Sequence, residues 1–176
     1  MQQKLRNLNR YSRERGLNIS IAKTKLLRLN AVSSEKIRLD ENFVDDVESF
    51  TYLGARVNKT GGTEDDIKER IGRARTAYNK LGKIWKNGQL TRKTKIRILK
   101  SNVIPVLLYG CETWRMTLQD GKRLDTFLHR CLRRILKIYW PMRITNEEIR
   151  RRAGIEKTSE IVQRLRWTWL GHVLRM

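Results

Sequence analysis

The feature that most constrains this fold is a single change in the spacing of its apolar residues. After Thr60-Gly61-Gly62 those residues recur at three- and four-residue steps, the period of a helix with one buried face. Thr63 followed by Glu64, Asp65 and Asp66 predicts a helix start, with acids in the first turn where the helix dipole favours them. Ile67, Ile71, Ala74, Tyr78, Leu81 and Trp85 then form one stripe. Thr91 begins a second helix carrying Ile96, Leu99 and Val103, which runs into Pro105 and the apolar Val106-Leu107-Leu108. Thr117 begins a third, with Leu124, Leu128, Cys131, Ile135 and Ile138 on one face. Asn146 is expected to cap a short fourth helix ending at Gly154. Thr158 opens a fifth, with Ile161, Leu165, Trp169 and Val173.

Before the glycine pair the pattern differs. Residues 2–15 read as a helix, with Leu5, Leu8 and Tyr11 at three-residue spacing and Gly16 where a C-terminal cap belongs. Leu17, Ile19 and Ile21 alternate with polar residues, which predicts a strand. Residues 25–29 (KLLRL), 36–39 (KIRL) and 50–57 (FTYLGARV) are further short strand candidates, and the acidic DENFVDDVE falls between them. The fold class expected is α+β, mostly α: a small β/α piece over residues 1–60, then a basic helical bundle over residues 61–176. A strand edge without its partner is a liability, so residues 1–55 are expected to be the less stable part.

Charge narrows the function. The chain carries 39 Lys and Arg against 18 Asp and Glu, a net +21, of which residues 56–176 hold +18 and residues 1–55 only +3. A folded domain with that much like charge repels itself unless a polyanion relieves it, and nucleic acid is the polyanion that fits. Hydrophobic content of 39% with five Trp supports a real core and excludes a disordered basic tail. Cys111 and Cys131 form no C-x-x-C pair and read as buried thiols of a reducing compartment. No apolar run approaches the roughly 18 residues that span a bilayer, and residues 1–15 are mostly polar. The expected setting is intracellular, nucleus or cytoplasm, with no membrane partner.

Few residues suggest catalysis. His129 and His172 have no carboxylate or Cys at ligand spacing, so helix packing or the surface is their expected place. No Walker A loop is present. Asp65-Asp66 is read as a dipole partner, and Asp45-Asp46 lacks the flanking apolar residues that would hold a metal pair rigid. No metal site is expected.

Several stretches stand out: GLNISIAKTK (16–25), FTYLG (50–54), IPVLLYGCETW (104–114) and RLRWTWLGHVLRM (164–176). Each admits plain packing, but in this order they resemble one family over essentially the whole chain. The chain resembles the C-terminal part of the reverse transcriptase of non-LTR (LINE-type) retrotransposons. Gly16, Leu17, Ile19, Lys23, Thr24 and Lys25 match its motif D, with Ser20 in place of the family's Asn. The resemblance implies that Lys23 is a general acid toward leaving pyrophosphate. It implies that Phe50, Tyr52, Leu53 and Gly54 form the primer grip, where Gly lets another backbone approach. The helices from Thr63 onward are similar to the thumb. Contacts to an RNA–DNA hybrid, read by shape and backbone, would come from Arg70, Arg73, Lys80 and Lys83, then Arg92, Lys93, Lys95, Arg97 and Lys100. Arg130, Arg133, Arg134 and Lys137 follow, with Arg150, Arg151 and Arg152 as a cluster. The family's catalytic Asp-Asp word is expected upstream of the first helix, and Asp40, Asp45 and Asp46 do not match it. The implied partners are therefore template–primer and the N-terminal polymerase domains. Mg²⁺ belongs to the full-length enzyme, no cofactor is expected for this chain, and no polymerisation by it alone. A stand-alone basic nucleic-acid-binding module is the alternative.

Overall fold

In the computed structural model, which describes residues 1–176 except 30, 32, 33, 53 and 60, helix α1 (Gln2–Glu14) opens the first of two units, Met1–Gly62 and Thr63–Met176. The fold is α+β and mostly α. Gly16 follows α1 with φ 73°, as expected of a glycine past a helix end. The Leu-Tyr stripe of α1 is not its buried side: Leu8 and Tyr11 are exposed, and the buried residue is Asn9.

Strand formation departs from the alternation. Leu17, Ile19 and Ile21 form no strand, and Ile21–Lys23 is a 3₁₀ turn. The strands are β1 (Lys25–Leu26), β2 (Arg38–Leu39), β3 (Asn42–Phe43), β4 (Asp45–Asp46), β5 (Ser49–Tyr52) and β6 (Ala55–Asn58). The acidic segment expected between strands thus supplies two of them. β1 pairs parallel with β4, in register Lys25↔Asp45 and Leu26↔Asp46. β2 pairs antiparallel with β3. Residues 50–57 do not make one strand but fold back as the β5–β6 hairpin, from Ser49↔Asn58 to Tyr52↔Ala55. Gly54 supplies the positive φ (84°) that such a tight connection needs. Among the described residues, the apolar core of this unit is Ile37, Leu39 and Val44. Polar contacts do much of the holding. The Gln2 side chain donates to the Arg38 carbonyl at 2.7 Å and accepts from its N–H at 2.8 Å, occupying the place of a neighbouring strand on β2. Asp40, in the β2–β3 turn with φ 54°, accepts from Asn9 Nδ2 at 2.8 Å and from Arg13.

The helical unit follows its stripes closely. Helix α2 (Glu64–Lys80) stops at Leu81 and resumes as α3 (Gly82–Lys86), then come α4 (Arg92–Asn102) and α5 (Ile104–Leu107). After a 3₁₀ turn at Cys111–Thr113 the chain forms α6 (Leu118–Leu136), α7 (Asn146–Ala153) and α8 (Thr158–Val173). Thr91 caps α4, and Thr117 with Asp120 makes a reciprocal capping box on α6, two N–H groups satisfied at once. Two cap readings are corrected. Thr63 stands at the start of α2, but its hydroxyl donates to the Arg115 carbonyl at 3.2 Å. Thr145, not Asn146, caps α7. α6 lies in the middle, in contact with α2, α4, α7 and α8. Ile67, Leu99, Leu124, Leu128, Leu132 and Ile149 fill the core between them. α8 keeps the first half of its expected stripe, Ile161 and Leu165 packing against the core, and departs from it in the second. Val162 is buried, while Trp169 and Val173 are exposed. Its start is tied to α6 by Thr158, whose N–H and hydroxyl both donate to Asp125 Oδ1 at 3.0 and 2.8 Å.

A buried polar knot joins α2 to the connection before α6. The Trp114 indole donates to Asp66 Oδ2 at 2.7 Å, and Arg70 Nε lies 3.8 Å from Asp66 Oδ1. Trp114, Asp66 and Arg70 are only 1%, 3% and 4% exposed. The Arg70 guanidinium sits over the Tyr109 ring at 4.8 Å, a cation–π contact. Asp66 stands in the first turn of α2 as expected, and it is also the acceptor that makes burial of an indole N–H and a guanidinium tolerable. Removing it takes the acceptor from the buried indole N–H and the carboxylate from beside the buried guanidinium. Asp66→Ala is expected to cost about 3–5 kcal/mol, read as a lowered urea midpoint. Asp66→Ala combined with Arg70→Met should recover part of that loss.

Candidate nucleic-acid interface

Charge in the helical unit is sorted by position along the helices. The chain has no carboxylate between Glu69 and Glu112, a stretch containing 11 Lys and Arg. This acid-free run feeds α3 and α4. On α4, Arg92, Lys93 and Arg97 are exposed and make no ion pair among the described residues. With Lys100 they form one wall of a groove of about 720 Å³ whose other wall is Arg151 and Arg152 of α7, over a floor of Ile96, Leu136 and Ala153. α7 aims its C-terminal end, where the dipole is negative, at this wall, and Lys100 Nζ donates to the Gly154 carbonyl there at 2.6 Å. Glu148 takes two hydrogen bonds from Arg151, at 2.7 and 2.8 Å, and one from Arg152 at 2.7 Å. Those bonds hold its carboxyl down at about 2, so it stays ionised and offsets part of the local positive charge.

Several residues expected to contact phosphate have other employment. Arg70 is buried in the Asp66 knot. Lys95 is buried, and its ammonium donates to the Trp85 and Asn87 carbonyls at 2.9 and 2.6 Å, capping the end of α3. Arg133 donates to the Ile144 carbonyl at 2.9 Å and to Asn146 Oδ1 at 3.0 Å, fastening the segment between α6 and α7. Arg73 pairs with Glu69 one turn back. Arg150 Nη1 meets His129 Nε2 at 3.2 Å. Lys80, Lys83, Arg130, Arg134 and Lys137 are exposed. Lys137 ends α6 in the left-handed region, with φ 57°.

In the first unit, Lys23 closes the 3₁₀ turn as an exposed side chain. Phe50 and Tyr52 on β5 meet edge to face at 6.4 Å, with Tyr52 turned to solvent and Gly54 at the turn, while Leu53 lies outside the described residues. Three aspartates of this unit are held in ion pairs. Asp45 is engaged by Lys25 at 2.6 Å, Asp46 by Arg28 and Asp40 by Arg13. Among the described residues, no three His, Cys, Asp or Glu side chains gather as metal ligands, and no helix is long and apolar enough to cross a membrane.

Burial removes the remaining nucleophiles. Cys111 and Cys131 are buried and unbridged, and burial pushes both thiols up to about 12. Tyr78 is likewise raised to about 12 by burial. His129 is buried on α6, and burial, with help from Arg150 and Arg133 and against the pull of Asp125, holds its pKa below its ordinary value. A guanidinium donating to Nε2 places the ring proton on Nδ1, the neutral form.

The chain is similar in sequence to a protein described as transposon-derived. A Caenorhabditis elegans protein described as a putative uncharacterized transposon-derived protein is 26% identical over 170 residues, covering 92% of this chain and 61% of its own length. The chain thus spans about three fifths of that relative. Residues 77–109, the end of α2 through α5, match a family described as a domain of unknown function, DUF6451. No solved structure matches the chain.

The His129 geometry has a pH consequence. A lowered folded pKa means the unfolded chain takes up the proton first, so the stability from neutral His129 is present above its ordinary value near 6.5 and is lost as pH falls through and below it. Urea midpoints measured from pH 7.5 to 5 should therefore fall more steeply for the natural chain than for His129→Gln, whose amide oxygen still accepts from Arg150 but does not titrate.

Proposed function

We propose that this chain is palm-end and thumb material of a non-LTR retrotransposon reverse transcriptase, whose helical unit grips template–primer by its phosphates. The observation that carries the reading is the convergence of Arg92, Lys93, Arg97, Lys100, Arg151 and Arg152 on one groove, fed by a stretch of chain without carboxylates. The ordered sequence words and the transposon-derived relative support the origin. A hybrid duplex is held by shape and backbone, for which cations set on rigid helices suffice and base-reading side chains are not needed. Arg130, Arg134, Lys80 and Lys83 are further exposed cations of the same unit. In the full polymerase, Lys23 would donate a proton toward pyrophosphate, and the β5–β6 hairpin with Phe50, Tyr52, Leu53 and Gly54 would press on the primer end. The reading assigns the metal-binding carboxylates to the N-terminal polymerase domains.

The experiment is a salt series. Binding of a blunt RNA–DNA hybrid by the purified chain, followed by fluorescence anisotropy, should weaken by about 10³-fold between 50 and 200 mM salt if six or more phosphates are neutralised. The triple variant Arg92→Ala/Lys93→Ala/Arg97→Ala should lower the slope of log affinity against log salt by about three, with the urea midpoint nearly unchanged because all three side chains are exposed. Affinity that ignores salt, or a slope the triple variant leaves intact, removes the groove from the interface.

A further inference from the structure

We propose that the tip at Tyr139 and Trp140, between α6 and α7, is a stacking platform for unpaired bases of an RNA single strand running off the hybrid. The proposal rests on the preceding reading and adds a second kind of contact to it.

Trp140 is 90% exposed and Tyr139 is 60% exposed. A tryptophan so far out of the core contributes little to folding, yet its neighbours hold it firmly. On one side Ile138 is buried, and its N–H donates to the Arg133 carbonyl at 2.9 Å. On the other, Arg133 fastens the Ile144 carbonyl and Asn146. The Met142 N–H donates to the Tyr139 carbonyl at 2.8 Å, closing a turn across the tip. Two aromatic faces are thus presented on a short, pinned segment. Little ordering entropy remains to be lost when a flat partner lands on them.

The surroundings say what the flat partner is. From Thr126 to Asn146 the chain has no carboxylate and five Arg and Lys. Tyr139 borders a hollow of about 390 Å³ that Arg130 and Arg134 also line. Aromatic faces beside cations, on a stretch of chain without carboxylates, match a strand that alternates planar bases with phosphates. Such strands bind by stacking and charge without base preference. A concave, cation-lined hollow beside the ring suits a sugar-phosphate turn better than the flat plane of lipid headgroups.

The test compares the natural chain with Trp140→Ala, Tyr139→Ala and Trp140→Phe. Four probes are used: a blunt hybrid, the same hybrid with an eight-nucleotide RNA overhang, one with a DNA overhang, and vesicles containing phosphatidylserine. Trp140→Ala should weaken the gain from the RNA overhang by roughly 5- to 100-fold, leave the blunt hybrid within about twofold, and leave the salt slope unchanged. Trp140→Phe should restore most of the loss. Urea midpoints should match across the set, since the tip is exposed. If no variant alters the overhang gain, or if the blunt hybrid and overhang weaken together, the stacking proposal is overturned. A loss confined to the DNA overhang, or to vesicles, overturns it in favour of those partners. If the natural chain binds neither hybrid, the underlying reading fails instead, which separates the two.

Discussion

Burial of the apolar side of α6 is the interaction on which the helical unit depends. Its Leu, Ile, Phe and Cys positions follow each other at three- and four-residue steps, and α2, α4, α7 and α8 each take a share of that surface. A helix covered by four others cannot shift along its axis without opening several contacts at once, so packing sets its register. The capping box at Thr117 and Asp120 fixes where it begins, and the left-handed Lys137 fixes where it ends. Everything charged on the unit is then placed by the angle a residue makes with that core.

That placement divides the cations into two populations. Lys95, Lys100 and Arg133 spend their charge on backbone carbonyls, two of them at helix ends where the dipole is negative. Arg70 is drawn inside by Asp66 and a tyrosine ring. Arg73, Arg151 and Arg152 pair with carboxylates on their own helices, while Arg92, Lys93 and Arg97 project into solvent where acids are scarce. The self-repulsion of a chain with +21 is therefore lessened at a few positions by local acceptors and left standing on the groove and the α6–α7 tip. A surface kept in that state is suited to a polyanion that completes it.

The first unit shows where pattern reading stops. Its strands are two to four residues long, and three buried apolar side chains hold them among the described residues. Over so few residues, alternation does not separate one strand from a hairpin. Residues 50–57 look continuous in sequence, and Gly54 turns them back on themselves. The acidic run near residue 45 seemed loop-like by composition, yet Asp45 and Asp46 form a strand because Lys25 and Arg28 neutralise them across it. Such compensation between distant residues is invisible to any window smaller than the separation.

The sequence by itself determined the helices and most of their inward faces, because a 3.6-residue period and a capping threonine act within one or two turns. It also determined the charge excess and its location after residue 55. Only the tertiary structure decided which cations face water. Arg70 lies three residues after Ile67 and four before Ala74, and Lys95 lies four before Leu99, so both share the buried stripe of their helices. Whether a charge on that stripe is expelled or kept depends on an acceptor supplied from elsewhere in the chain. Asp66 keeps Arg70 and the end of α3 keeps Lys95, because a buried cation is stable only where a partner replaces the water it lost.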